Sequence, residues 1–518
     1  MTALGMPGER VSVRTWAGFC AMGLGMFMAI LDIQVVATSL PEIRSALEIP
    51  PDRMSWVQTA YLIAEVISIP LTGWFTRMLT MRGLFATAIA VFTMASVGCA
   101  ASAGFASLTL WRVVQGFAGG TLIPTVFAAV FLLFPKKDEQ VATTIAGVLA
   151  VLAPTLGPIV GGWITQTFSW HWLFLINVGP GMAAGTAGFL CLPRERPDPG
   201  LARAFDWIAL LGVAIGLAAL EIGLKEAPRR GWLSPGILAL FVLCMASGIL
   251  FVRRTLRASA PVVDLSALGD RRLAVGCALS FLTGIGLYGS VYLMPVFLAF
   301  VRGHGSLRIG EIMLVTGVAQ LVSAPLVIQA ERRIDAVTLT LVGFGLFGLG
   351  LGLSAFQPRD ADFDAMLWPQ VIRGVAIMLC LLPPTRVALG HLPPDRVPDG
   401  SSLFNLMRNL GGAVGLALID TVIWTRAPEH ARILLARLKG GDLDAARAIG
   451  IPETFLSGPL PSPDNPMVQA YVRPLLERAG LATATNEAWA MIAALVLLGP
   501  IILVLSGLGR RRVSAMRP

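Results

Sequence analysis

The sequence has little charge. Of its 518 residues only 14% are Asp, Glu, Lys or Arg, whereas a soluble domain usually has about a quarter. The charged residues lie in short clusters, and the apolar runs between them reach about twenty residues, the length that a helix needs to cross a bilayer core. This shortage excludes most soluble classes, and the sequence predicts an all-α polytopic membrane protein.

Cysteine and histidine are also scarce. The six cysteines form no C-x-x-C pair, and the four histidines are dispersed near the ends of apolar runs. We therefore expect neither a disulfide framework nor a metal site. The absence of a phosphate-binding loop or nucleophile motif argues against an enzyme embedded in the membrane. The net charge of +9 comes from residues between the apolar runs, so we expect no nucleic-acid partner.

Fourteen apolar runs are candidate membrane spans. They cover residues 15–40, 54–76, 83–104, 107–134, 140–165, 170–192, 206–224, 232–252, 273–301, 309–329, 334–356, 364–385, 399–425 and 484–508. An even number places both termini on one side of the membrane. With the termini inside, the inner segments carry 22 Lys and Arg and the short outer loops carry 8, so the positive-inside rule predicts cytoplasmic termini.

An internal repeat divides the chain. Three pairs of segments match at offsets of 254 to 258 residues: Val113–Ala118 with Val371–Ala376, Leu156–Gly161 with Leu410–Gly415, and Pro70–Leu71 with Pro325–Leu326. We therefore predict two six-helix halves at residues 1–200 and 261–518, with two inserted helices at 201–260. Parallel halves of this kind are typical of a secondary transporter whose substrate site lies between them, and they disfavour a channel.

Three ionisable residues lie well inside predicted spans, where a charge is costly and is usually functional. They are Asp32 in the first span, Glu65 in the second and Arg112 in the fourth. A buried carboxylate whose surroundings change during a cycle can load and release a proton, so we predict that these residues couple transport to protons. The alternative is that Asp32 only pairs with Arg112 to hold helices together. Four other acids lie near span ends, where we expect them to reach the interface: Glu221, Glu311, Asp420 and Glu487.

A polar stripe follows the second predicted span. Gln58, Tyr61, Glu65, Ser68 and Thr72 recur at helical spacing, which places them on one face. A stripe that includes an acid favours a water-filled substrate cavity. The alternative is a helix-packing stripe of small and polar groups.

Further candidates for the substrate cavity come from both halves. Gln115 lies in the fourth span, and Tyr288 and Tyr292 lie in the ninth. The two tyrosines are either cavity walls or anchors and packing groups. Arg373 and Arg408 are the basic groups inside spans of the second half, and each is either functional or structural.

The fifth predicted span is rich in proline and glycine. Two prolines four residues apart remove helical hydrogen bonds on one side, and a G-x-x-x-G pair allows close packing. The sequence therefore predicts a kinked, tightly packed helix rather than an ordinary membrane helix. The residues concerned are Pro154, Gly157, Pro158, Gly161 and Gly162.

These motifs resemble the major facilitator superfamily and, more narrowly, its fourteen-span drug:proton antiporters of the EmrB/QacA type. The resemblance rests on five stretches: Leu31–Asp32 with Leu40–Pro41, Ile69–Trp74, Leu110–Gly120, Ala153–Gly162 and Leu403–Gly412. It implies the major facilitator fold, with two six-helix halves plus two inserted helices. It also implies that Arg112, within an R-x-x-Q-G motif, takes part in proton coupling, and that the fifth-span motif marks an exporter.

One loop departs from the family pattern. The superfamily usually has G-x-x-x-D-R-x-G-R-[KR] between its second and third helices, whereas Arg77 occupies the Asp place here and Thr80 the Gly place. The family's cytoplasmic latch relies on that Asp. We therefore expect another contact to hold the two halves together at this end.

The resemblance implies a proton-coupled exporter of lipophilic or amphipathic drugs, working by alternating access in the bacterial inner membrane. No cofactor is expected, since the proton gradient supplies the energy, and the chain is not expected to be an enzyme. A dedicated exporter of one metabolite, lipid or siderophore is the alternative, because it would share every motif.

A long outer segment separates the last two spans. We predict a long periplasmic loop at residues 426–483, which exceeds the usual length of a connection. Within it we predict an amphipathic helix at Ala431–Leu438 and a proline-rich turn region at Ser457–Pro466. The resemblance implies a periplasmic adaptor of the EmrA type, a membrane fusion protein, with an outer-membrane channel. The segment either docks that adaptor or forms a solvated lid.

Overall fold

The computed structural model describes residues 11–50, 53–198, 200–201, 205–258, 261–451 and 466–508. Apolar stretches of this length form helices because a helix satisfies its own backbone hydrogen bonds in lipid. The helices are α1 Val13–Thr38, α2 Leu40–Ala46, α3 Trp56–Ser68, α4 Thr72–Ala100, α5 Phe105–Leu133, α6 Glu139–Thr167, α7 Trp172–Leu175, α8 Val178–Cys191, α9 Trp207–Arg230, α10 Pro235–Thr255, α11 Arg271–Val296, α12 Ser306–Glu331, α13 Ala336–Leu353, α14 Phe363–Leu389, α15 Val397–Lys439, α16 Leu443–Ile449, α17 Pro466–Val496 and α18 Leu498–Leu505.

Thirteen helical segments within these ranges are long and apolar enough to cross a membrane. One of them, Trp56–Ala100, has 45 residues and would extend about 68 Å as a single helix, twice the thickness of a bilayer core. It is broken at Thr80, where φ is 70°, and the Thr80 hydroxyl accepts a hydrogen bond from the N–H of Gly83 in the manner of an N-cap. Counted as two crossings, this segment brings the described spans to the predicted fourteen.

Each half has its own apolar core. In the first half, Phe85 and Phe92 of α4 pack with Phe127 of α5. In the second half, Phe344 of α13 packs with Trp489 of α17. The predicted boundaries at residues 200 and 260 stay a prediction, since these cores do not fix them.

The halves meet along α6 and α12. Two glycines of α12 allow this approach, because Gly317 lies against Thr155 and Gly310 lies against Ile159 of α6. A side chain at either glycine would separate the helices. The fifth predicted span therefore packs on the opposite half, as its Gly- and Pro-rich sequence suggests.

The inserted helices α9 and α10 pack together on the outside of the bundle. Asp206 caps α9 and pairs with Arg254 of α10 at 2.9 Å. The hydrogen bond from Arg254 lowers the pKa of the Asp206 carboxyl, so the pair stays charged to a lower pH than an isolated carboxyl would. Lys225 near the other end of α9 donates to Ser55 and to Thr59 of α3, so the insertion is attached to the first half.

The outer segment is largely helical where it is described, which corrects its interpretation as a loop. The predicted helix Ala431–Leu438 is the tail of α15, which ends at Lys439 with Gly440 as its C-cap. This tail packs with α16 and with the start of α17 around Leu438 and Ile449. We call residues 426–451 and 466–483 the projection. Most of the predicted turn region Ser457–Pro466 lies outside the described residues.

Candidate proton-coupling and substrate site

Asp32 lies at the centre of a buried polar cluster. Its carboxylate forms an ion pair with Arg112 of α5, and both side chains are fully buried. Gln115 donates to Asp32 Oδ1 at 3.0 Å, and Asn177 donates to the same oxygen at 2.8 Å. A cation and two further donors compensate a buried charge for the loss of water. Both predictions for this pair are therefore compatible with the structure, since the ion pair exists and lies inside the bundle.

Arg112 is held from several sides. Its Nη1 donates to Gln115 Oε1 at 2.7 Å, and its Nε donates to the Val57 carbonyl at 3.3 Å. The guanidinium lies over the ring of Tyr61, 4.2 Å from the centroid, and an aromatic face stabilises a desolvated cation. Gln115 also donates to Ser96 at 2.9 Å. This arrangement fixes the plane of the guanidinium toward Asp32.

Glu65 differs sharply from Asp32 in its surroundings. The residue is only 3% exposed, and its carboxylate has no hydrogen-bond partner in the part of the chain that the structure describes. It interacts electrostatically with Arg112 of the first half and Arg408 of the second. Glu221 of α9 also interacts with Glu65. Glu221 therefore faces the bundle and not the membrane interface, where we expected it. Glu65 therefore lacks the hydrogen-bonded cation and the amide donors that Asp32 has.

The polar stripe of α3 packs mainly against α5. Gly116 lies on the backbone of Tyr61, and Gly120 lies on Glu65 and Ser68. The Tyr61 hydroxyl donates to the Ala29 carbonyl at 3.1 Å. Ser68 and Thr72 each donate to the α3 backbone one turn earlier. The packing interpretation thus describes most of the stripe in this structure, and Gln58 is its partly exposed end.

A small cavity lies between the halves. From the first half it is lined by Gln34 of α1 and Pro154 of α6, and from the second by Tyr288 of α11 and Arg408 of α15. Tyr288 donates to Asn409 at 2.8 Å. The structure therefore places three predicted residues, Pro154, Tyr288 and Arg408, on one inter-half cavity. The predicted residue Tyr292 instead donates to Asp420 at 2.7 Å and is 37% exposed.

The Gly- and Pro-rich motif of α6 lies against α1. Gly157 is in contact with Gln34, and Pro154, Pro158, Gly161 and Gly162 are buried in the same helix. Because α6 also contacts α12 of the other half, the motif connects the cluster helix α1 to the second half. That position fits a conformational role, which stays a prediction.

Sequence reasoning missed Asn177 and Asp399. Asn177 lies just before α8, 145 residues from Asp32, and only its polarity within a predicted span could have drawn attention to it. Asp399 in the first turn of α15 forms an ion pair with Arg77 of α4, across the two halves. Arg77 also donates to the Pro261 carbonyl at 3.2 Å. This ion pair is a contact between the halves at the loop that departs from the family pattern.

Two helical halves with an inter-half cavity and buried charges near the middle of the spans define a secondary transporter. The sequence model of the Major Facilitator Superfamily matches residues 22–416, and the chain belongs to that superfamily. The crystal structure of the human organic anion transporter MFSD10 has a TM-score of 0.59 over 94% of this chain and 99% of that chain, at 14% identity, which shows the fold.

Curated relatives place the chain in the EmrB-type drug:proton antiporter family. The Colistin resistance protein EmrB of Acinetobacter baumannii is 39% identical over 81% of this chain and 82% of its own length. The Multidrug export protein EmrB of Escherichia coli K12 is 30% identical over 80% and 81%. The Fatty acid resistance protein FarB of Neisseria gonorrhoeae is 29% identical over 80% and 82%. The chain is accordingly a membrane exporter of this family.

Proposed function

We propose that the chain exports lipophilic or amphipathic compounds from the bacterial cytoplasm in exchange for protons, by alternating access, with both termini in the cytoplasm. The observation that supports this most directly is the contrast between two buried acids. Asp32 accepts hydrogen bonds from a cation and two amides, whereas the Glu65 carboxylate accepts none from the described residues and interacts with Arg112 and Arg408 only electrostatically. The proposal needs no bound cofactor, since the proton gradient is the energy source.

In this proposal, Glu65 carries the proton and the Asp32 cluster orients Arg112. An ionised Glu65 is stabilised by the two nearby guanidinium groups, one from each half. When the halves rock apart, Arg408 moves away from Glu65 and the carboxylate takes up a proton from the outer side. Each proton that crosses the membrane supplies about 2.3 kcal/mol per 100 mV of potential, which drives the export of substrate.

Substrate binding takes place at the inter-half cavity. Its walls include Ile30, Ile123 and Leu381 beside the polar groups of Tyr288 and Arg408. Apolar walls with a few polar groups suit ligands of mixed character. The same family includes relatives named for drug export and for fatty acid resistance, so a chemically diverse panel is the appropriate test of substrate range.

The decisive experiment is efflux from proteoliposomes with an imposed proton gradient. We expect the wild-type protein to move protons and substrate across the membrane in opposite directions. Glu65→Gln and Asp32→Asn should abolish proton-driven efflux at normal protein levels. Full proton-driven transport by Asp32→Asn would contradict the role of the cluster, and full transport by Glu65→Gln would contradict the role of the carrier acid.

A matched control is available in α12. Glu311 is an acid of the same type that pairs with Arg308 at 3.0 Å on the surface, where its side chain is 53% exposed. Glu311→Gln should leave proton-driven efflux unchanged. Equal loss in this variant would mean that any lost carboxylate impairs the protein.

The alternative, a dedicated exporter of one metabolite, lipid or siderophore, shares the same geometry. Resistance phenotypes in an efflux-deficient host distinguish the two. Protection against several unrelated toxic compounds supports a multidrug exporter, whereas protection against a single compound class supports the dedicated exporter.

We further propose that the projection docks a periplasmic adaptor of the membrane-fusion type, which in turn reaches an outer-membrane channel. Ile433 of α15 and Tyr471 of α17 are exposed large side chains on it, at 49% and 57%. Replacing both with Asp should abolish adaptor pull-down and leave efflux from proteoliposomes intact. Unchanged pull-down would favour the solvated lid.

A further inference from the structure

A second small cavity lies beside the first. The two share Val151, Leu287 and Val291 in their walls. The polar lining of the second cavity comes mainly from α12 and α14 of the second half: Thr316, Gln320 and Arg373. This cavity has no role in the proton chemistry described above.

Arg373 is buried at this cavity without a counter-ion. It is 3% exposed, and no carboxylate of the described chain forms an ion pair with it. Its Nη2 donates to Thr316 at a long 3.3 Å, while Nε and Nη1 have no hydrogen-bond partner in the ranges that the structure describes. Trp489 supports the guanidinium with its ring 5.3 Å away. A buried cation with two free donors needs an explanation.

Gln370 extends this set of donors. Its Oε1 accepts a hydrogen bond from Thr316 at 3.0 Å, and its Nε2 is buried with no partner among the described residues. Arg373, Thr316 and Gln370 thus form a chain whose Arg373 end presents free N–H groups to the cavity, beside Gln320, whose Oε1 also has no partner among the described residues. Such a set is complementary to an acceptor that carries negative charge.

The internal repeat explains how this arrangement arose. The offset of 255 residues that relates Pro70 to Pro325 also relates two residues of α3 to residues that line the second cavity: Tyr61 to Thr316 and Glu65 to Gln320. The acid Glu65 of the first half therefore corresponds to an uncharged amide in the second. The smaller Thr316 leaves space where the ring of Tyr61 supports Arg112.

The packing of two glycines supports the equivalence of Tyr61 and Thr316. Gly116 of α5 lies on the Tyr61 carbonyl, and Gly374 of α14 lies on the Thr316 carbonyl. The motif Arg112-x-x-Gln115 of α5 becomes Gln370-x-x-Arg373 in α14. The second half thus keeps the arginine and the amide, in exchanged order, and lacks the carboxylate that neutralises them in the first half.

We propose that Arg373 binds the anionic headgroup of a lipophilic anion, such as a carboxylate on an apolar tail. The headgroup supplies the negative charge that Asp32 supplies in the first half. The tail lies along Leu287 and Val291, which connect this cavity to the larger one. The assignment of this anion as exported cargo rests on the proposed export function, whereas the anion site itself does not.

The test is equilibrium binding of radiolabelled dodecanoate to the full-length protein in nanodiscs of phosphatidylcholine. Dodecanol and dodecyltrimethylammonium have the same chain with no charge and with a positive charge. We expect the wild-type protein to prefer dodecanoate over both. Arg373→Gln should weaken dodecanoate binding about tenfold or more, since a charged hydrogen bond contributes about 1.5–3 kcal/mol, and should leave dodecanol binding unchanged.

Two further variants separate binding from folding. Gln320→Glu places an acid beside Arg373, as Glu65 lies near Arg112, and should weaken dodecanoate binding as Arg373→Gln does. The surface variant Arg308→Gln, whose arginine side chain is 49% exposed, should bind normally. Because Arg373 lacks a counter-ion, Arg373→Gln should melt at or above the wild-type temperature. A large loss of thermal stability with unchanged dodecanoate binding would make Arg373 structural and overturn the proposal.

The source of the anion and the export function are tested separately. If phosphatidylglycerol in the nanodisc displaces dodecanoate only when Arg373 is present, the anion site stands but its assignment to cargo is overturned in favour of a lipid headgroup. Loss of binding in Arg373→Gln together with full proton-driven transport by Glu65→Gln supports the site and contradicts the export mechanism. Normal coupling with equal dodecanoate binding by Arg373→Gln overturns the site alone.

Discussion

Arg77 and Asp399 form an ion pair that joins the two halves at the end of the bundle where α1 begins. Asp399 is almost completely buried and Arg77 is 31% exposed. Gly73 lies directly against Asp399, so the close approach of α4 to α15 depends on the absence of a side chain there. The charge in the loop is the reverse of the family pattern, and the opposite charge is provided by the other half.

The first prediction is that this pair stabilises the state that is closed at that end. In Arg77→Ala the buried Asp399 loses its cation, and in Asp399→Ala the arginine loses its partner, so each should favour opening by about 1 kcal/mol or more. The double variant with Arg77→Ala and Asp399→Ala should open little further than the more open of the two single variants. Distances between spin labels at the exposed positions Lys136 and Asp395, in a background without the six native cysteines, measure the opening.

The control for this prediction is the pair between Arg254 and Asp206, which joins only α10 and α9. Arg254→Ala removes the same type of charge pair at the same end and should not change the distances between the labels. Additive effects of the two substitutions at Arg77 and Asp399 would contradict the coupling between them.

The second prediction concerns Asn177, which sequence reasoning missed. Asn177→Leu removes one of the donors to Asp32 Oδ1, and losing a hydrogen bond to a buried charge costs about 1.5–3 kcal/mol. We expect lower thermal stability and weaker proton-driven efflux. Asn177→Asp should be worse, because it places two carboxylates together.

Asn486 provides the comparison for Asn177. Its amide donates to the uncharged Gln357 carbonyl at 2.8 Å, so Asn486→Leu should cost only about 1 kcal/mol and leave proton coupling intact. If both leucine variants keep full coupling, Asn177 does not support the cluster.

The third prediction tests the contact between α3 and α5. A Cβ at Gly116 would collide with the Tyr61 carbonyl, which is backbone and cannot rotate away. Gly116→Ala should therefore separate the helices, displace Tyr61 from Arg112 and destabilise the protein by about 1–3 kcal/mol. Gly345→Ala in α13, where no atom lies within 4 Å of the added carbon, should be neutral. Thermal unfolding of both variants measures the difference, and equal melting temperatures would contradict the close packing.

The number of spans and the inward-facing acids could be predicted because lipid imposes strong rules on sequence. A crossing needs about twenty apolar residues, and a charge inside one is rare enough to be noticed. The pairing of Asp32 with Arg112 was within reach for that reason. The helical spacing of the α3 stripe also identified a face correctly.

Helical spacing does not identify the neighbour of a face. Tyr61 and Ser68 were expected at a cavity, and they pack on glycines of α5. Likewise, Arg77 and Asp399 are 322 residues apart, and their contact depends on how two halves dock. Arg373 was recognised as buried, but the absence of a carboxylate around it became visible only when the neighbouring helices were in place.

The last prediction concerns the break at Thr80. With φ 70° and ψ 163°, this residue adopts a conformation that is essentially restricted to glycine and costs about 1–3 kcal/mol for a residue with a Cβ. The family pattern has glycine at this place.

Thr80→Gly relieves that strain. It also loses the cap to Gly83 and increases the entropy of the unfolded chain, and these two effects together cost about 1 kcal/mol of stability. Thr80→Ala loses the cap and keeps the strain. The glycine variant should therefore be more stable than the alanine variant by about 1 kcal/mol, opposite to their order inside a helix. Reversible unfolding in mixed detergent gives both values, and an alanine variant at least as stable as the glycine variant would show that Thr80 does not hold this backbone conformation.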